Sequence, residues 1–124
     1  MVLAFVDDLL FSSKIRSVAE AAGQPVVFVR KRDDILSGIR EHKPDVVLFD
    51  LDRAPLDPVG AIREIRSHAD LAHVKLIGFG SHVHAERFVE AREAGIDSAM
   101  ARSGFVAALP RIVAGGPSDP PKAS

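Results

Sequence analysis

The chain of 124 residues has no cysteine. Disulfides and thiolate metal sites are therefore excluded, and the composition agrees with a reducing cytoplasm, the expected location. No apolar run is long enough to cross a bilayer. The opening MVLAFVDD has no basic stretch and meets paired acids too early for a signal peptide. An excess of one charge is also missing: 16 Lys and Arg stand against 17 Asp and Glu, for a net charge of -1. Nothing general draws such a chain to nucleic acid or to an anionic membrane. The single basic run, Arg30-Lys31-Arg32, meets Asp33-Asp34 at once and reads as a solvated loop. There is no G-x-G-x-x-G or Walker pattern, so nucleotide binding has no support. Nor is there a Ser-His-Asp or paired-Glu arrangement, and the chain is not expected to be an enzyme.

What is present is a regular alternation. Short apolar runs at VLAFV (2–6), VVFV (26–29), VVLF (46–49) and VKLIGF (74–79), with a weaker one at 96–101, read as strands. Between them lie helical patterns: Phe11, Ile15, Val18 and Ala22 up to Gly23; Ile35, Leu36 and Ile39 behind an Asp33 cap; Val59, Ile62 and Ile65; Val83 to Ala94 up to Gly95; and Phe105 to Val113. Such alternation predicts an α/β protein: a flavodoxin-like, doubly wound, five-stranded parallel sheet of order 2-1-3-4-5 with five helices. Residues 1–113 are expected to form this one domain, with 114–124 (AGGPSDPPKAS) a disordered tail or linker. Pro110 falls inside the last helical pattern, which predicts a kinked, split or short helix.

Nearly continuous runs such as PDVVLFDLD (44–52) suit strands buried on both faces. In a doubly wound sheet, function gathers at the carboxyl ends of the strands. Asp7 and Asp8 follow the first strand and Asp50 ends the third, its neighbour in this order, so the three acids are expected to converge. Like charges in one pocket call for a cation. Magnesium suits these oxygen donors, with the backbone carbonyl of Asp52 as a further ligand. A carboxylate beside such an ion can take a phosphoryl group as an aspartyl phosphate.

The segments VLAFVDD, PDVVLFDLD, HVKLIGFGS and AGIDSAMARS, in that order, resemble the receiver domain of bacterial response regulators over about residues 2 to 113. The resemblance implies a module of a two-component phosphorelay. Asp50 would be the phosphoacceptor for a histidine kinase, Asp7 and Asp8 the acidic pair holding magnesium, and Asp52 the carbonyl ligand. Signalling would run through protein–protein contacts with a kinase or a downstream protein, and a homodimer is a possible assembly.

Four positions depart from that pattern, one of them Ser103, which stands where the family has a proline. Gly80 stands where the family has a Thr or Ser hydroxyl, with Ser81 as a substitute only if the strand end slips by one residue. Arg102 stands for a lysine, keeping the charge but adding a planar, bidentate donor. Ala99 stands for a switch aromatic. The alternative reading is thus a pseudo-receiver, not phosphorylated, that docks proteins constitutively. A flavodoxin-like cofactor binder is the reading from another class, and no loop here suits a flavin phosphate. His82 and His84 read as chance loop histidines, Phe11 as core, and Leu9 as core or as a rim residue slowing hydrolysis of an Asp50 phosphate.

Overall fold

The computed structural model describes residues 1–114; of the tail expected to be disordered (114–124), Ala114 caps the last helix and the rest lies outside the described residues. Five strands, β1 (Val2–Phe5), β2 (Val26–Val29), β3 (Val46–Asp50), β4 (Lys75–Gly80) and β5 (Ser98–Ala101), alternate with α1 (Leu9–Ala21), α2 (Ile35–His42), α3 (Pro58–Arg66), α4 (Ala85–Ala94) and α5 (Arg102–Val113). All pairings are parallel and the order is β2-β1-β3-β4-β5, as the alternation predicted.

The sheet is covered on both faces, which explains the continuous apolar runs. Within β1, Leu3 and Phe5 enter one core with Val47, Phe49, Ile39 and Ile62, under α2, α3 and α4. Val2 and Ala4 point the other way, into a second core with Leu48, Ile77, Phe79, Ile15 and Ile112, under α1 and α5. Period-two alternation sorts one run of residues into two cores.

Local chemistry ends the helices. Asp8 caps α1, its Oδ1 accepting from Phe11 N–H at 2.9 Å. Gly95 closes α4 at φ 108°, a left-handed conformation that a side chain would strain. The expected helix from Val83 is divided: a single 3-10 turn spans His82–His84 and the α-helix begins at Ala85. Among the described residues no helix is long and apolar enough to cross a membrane.

Pro110 corrects an expectation. The fifth helix is neither split nor short; it runs unbroken for 12 residues and begins at Arg102, before the expected Phe105. Pro110 is on the exposed side, while Phe105, Ala108, Leu109, Ile112 and Val113 are buried. Packing of that apolar face outweighs the one backbone bond that proline removes. Pro110→Ala should therefore stabilise the protein by about 2 kcal/mol, read as a higher urea midpoint with unchanged slope. A lowered midpoint would mean that α5 is shaped around the proline.

Candidate functional site

Asp50 is the last residue of β3, paired with Phe79 of β4. Its side chain is 1% exposed. Oδ1 accepts from the backbone N–H of Asp52 at 3.0 Å, while Oδ2 is buried with no partner. Burial pushes this carboxyl above the ordinary range; the Asp52 N–H and the Arg102 charge oppose the shift, and the charges of Asp52 and Asp8 add to it.

Arg102 opens α5 and reaches back over the strand ends. Its Nη2 lies 3.6 Å from Asp50 Oδ1. Its shorter contacts go to Asp52, whose Oδ2 accepts from Nε at 3.1 Å and from Nη2 at 3.0 Å. The guanidinium also sits 4.9 Å from the Phe11 ring centre and 5.7 Å from that of Phe79. Those rings stack at 4.6 Å, and Phe79 stacks on Phe105 at 4.4 Å. An aromatic column from α1, β4 and α5, all in the second core, thus supports the cation.

Asp52 is the hub, through its side chain as well as its backbone. Its carboxylate accepts from Ser81 N–H at 2.9 and 3.1 Å, and His84 Nδ1 lies 3.0 Å from Oδ1, a hydrogen bond when that nitrogen carries its proton. Burial pushes its pKa up, but the bonds from His84, Ser81 N–H and Arg102 outweigh this and leave it low. The glycines of β4 make room: a Cβ on Gly80 would stand 3.1 Å from Asp52 Oδ1, and one on Gly78 3.0 Å from Leu51 Cδ1. Leu51 and Asp52 lie over β4 because these two positions lack side chains.

The three acids expected to converge do not form a ready cluster. Among the described residues, no group of three or more His, Cys, Asp or Glu is placed to hold a metal ion. Asp7 is turned to Arg53, which donates from Nε and Nη2 to its two oxygens, both at 2.9 Å. Asp8 is spent in part on capping α1. The Asp52 carbonyl accepts from Arg87 Nη1 at 2.9 Å. What the fold does assemble is an acidic pair, Asp50 and Asp52, beside Arg102, a cluster compatible with a magnesium pocket. The orphaned Asp50 Oδ2 is the atom a cation would satisfy.

Ser81 follows β4, whose register against β3 and β5 runs without a slip up to Gly80. Its hydroxyl faces the 3-10 turn, accepting from Val83 N–H at 3.4 Å, and its backbone N–H is what enters the site. Ala99 is half-buried against the first core. Leu9 and Leu10 are exposed, so Leu9 does not join the core, whereas Phe11 packs as expected. Sequence reasoning missed Arg53, Arg87, His84 and the Asp52 side chain. Arg53 adjoins Asp52 in the chain, but nothing in its spacing points to Asp7; Arg87 and His84 meet Asp52 only through the β3–β4 pairing.

No family model matches the sequence, and no curated protein is similar to it. Solved structures do match. The signal receiver domain of a DNA binding response regulator from Colwellia psychrerythraea is 18% identical with a TM-score of 0.77, covering 90% of this chain and 93% of that one. A phosphorylated cyanobacterial phytochrome response regulator is 18% identical with a TM-score of 0.75, covering 92% and 88%. A response regulator from Thermotoga maritima is 15% identical with a TM-score of 0.74, covering 93% and 97%. The chain has the receiver fold. In it, Asp50 ends the central strand, β3.

Asp50 is ionised at a cost. Its raised pKa means that the contribution of its neutral form is full below about pH 4, the ordinary carboxylate value, and is lost as pH rises through the raised value. Asp50→Asn should therefore be more stable than the parent by about 1 kcal/mol at pH 7. The gap should close as pH falls toward 4 in thermal melts. A variant less stable at pH 7 would show that Arg102 and the Asp52 N–H already compensate the charge.

Proposed function

We propose that this chain is a receiver-like signalling module of a two-component phosphorelay, with Asp50 as phosphoacceptor from a histidine kinase and output through protein–protein contacts. The observation that carries this is the Asp50 carboxylate at the end of β3, with one oxygen unpartnered and a guanidinium 3.6 Å from the other. In the transfer, an Asp50 oxygen bonds to phosphorus as the phosphorus–nitrogen bond of a phosphohistidine breaks. The imidazole leaves with the electron pair and takes up a proton. Arg102 would face the phosphoryl oxygens, with a planar fork suited to them.

Asp7, Asp8, Asp50 and the Asp52 carbonyl are the residues that would hold magnesium. The ion supplies charge neutralisation for phosphoryl transfer. Arg53 on Asp7 and Arg87 on the Asp52 carbonyl compete for the same oxygens. Removing a competitor should tighten binding: Arg53→Ala should bind Mn2+, followed by electron paramagnetic resonance, about fivefold more tightly than the parent. Unchanged or weaker binding would remove Asp7 from the ligand set.

The second reading, a pseudo-receiver used for docking, is favoured by a different observation: Asp52 already engages Arg102 and Ser81 N–H, the donors around Asp50. Intact mass separates the two. Incubation with magnesium and a small phosphodonor should add one phosphoryl group to the parent and none to Asp50→Asn. A parent that stays unmodified, with a histidine kinase as donor as well, would leave the docking reading.

A further inference from the structure

Donors from three separate elements converge on one carboxylate that is itself only 12% exposed. Ser81 brings a backbone N–H from the end of β4, His84 a ring nitrogen from the 3-10 turn, and Arg102 two N–H groups from the first residue of α5. A carboxylate offers about four acceptor sites, so these contacts saturate it. One of the three also approaches Asp50: Arg102 Nη2 is 3.6 Å from its Oδ1, while Ser81 and His84 follow in the chain the β4 residue, Phe79, that pairs with Asp50. Gly80 eases this approach, since a Cβ there would stand 3.1 Å from Asp52 Oδ1, closer than ordinary contact.

We propose that Asp52 is a permanently attached anion for Ser81 N–H, His84 and Arg102, so that the loop from Ser81 to the start of α4 is held by a carboxylate of the chain itself before any group is added to Asp50. The inference deepens the receiver reading and takes from it the role of Asp50 as the position to be modified. In chains with a hydroxyl at the Gly80 position, the space taken by this carboxylate would be filled. Here the acid and the glycine are a matched pair, and the acid ties β4, the 3-10 turn and α5 together through one group. The segment so held carries Val83, which is 79% exposed, and leads into α4. Losing the anion would release Ser81, His84 and Arg102 together, because each is tied to the same two oxygens.

The test reads backbone hydrogen exchange by mass spectrometry on the full chain, with no phosphodonor present. In Asp52→Ala, peptides covering 81–87 should exchange at least about tenfold faster than in the parent, since the lost bonds are charge-assisted. The peptide covering β1 should be unchanged. Added sodium formate, a free carboxylate, should restore protection of 81–87, whereas equal sodium chloride should not. If the alanine variant does not fold, Asp52→Asn, which keeps the shape and loses the charge, should show the same faster exchange over 81–87. Unchanged exchange there, loosening spread evenly over the chain, or protection that formate does not restore would each overturn the proposal. Failure to phosphorylate Asp50 would leave this result standing and would count only against Asp50 as acceptor, because the exchange experiment involves no transfer.

Discussion

The contact on which the site depends is the carboxylate of Asp52 lying over Gly80 and holding Arg102. It joins the loop after β3 to the end of β4 and to the first residue of α5. A side chain at Gly80 would crowd the acid, its Cβ 3.1 Å from Oδ1; without the acid, Arg102 would keep its ring contacts and the longer approach to Asp50, at 3.6 Å. The aromatic column of Phe11, Phe79 and Phe105 fixes the cation from below. A position without a side chain in β4 is thus met by an acid from the loop after β3 and a guanidinium from α5, and the corner closes on itself.

Charge at this corner is distributed unequally. Asp52 accepts donors from every side and stays ionised easily; Asp50, two residues away, is nearly dry and keeps one oxygen unpaired. The difference follows from position. Asp50 is still within the strand, with cores on both faces, whereas Asp52 has left it and meets the ends of three elements. Arginines answer the surrounding acids: Arg53 on Asp7, Arg87 on the Asp52 carbonyl, Arg102 on Asp52. Each of these pairs uses an oxygen or a charge that a cation or a phosphoryl group would also seek. Their competition is the physical content of the choice between a modified receiver and a docking module.

The sequence was legible where a pattern is local. Buried runs such as VVLF and helical spacing such as Ile62 and Ile65 gave the elements, and their alternation gave the sheet order. The placement of Asp50 at a strand end could also be read directly. Pro110 misled because local propensity was weighed without the apolar face of α5, which buries five residues and keeps the helix whole. His84 looked incidental because its partner is 32 residues away in the chain. The convergence of Asp7 with Asp50 was expected from adjacency of strands, but adjacency does not say which way a side chain turns, and Arg53 turns Asp7 aside.

By itself, the sequence determined the succession of strands and helices, and that acids stand at the ends of neighbouring strands. Those follow from periodicity and from handed crossovers, which are rules of the chain. Only the tertiary structure decided which acid meets which cation. Gly80 read alone was a missing hydroxyl; packed beneath Asp52 it is the space that lets a carboxylate reach Ser81, His84 and Arg102. Hydrogen bonds are short and directional, so their partners are set by where elements end after packing, and separation along the chain carries no record of that.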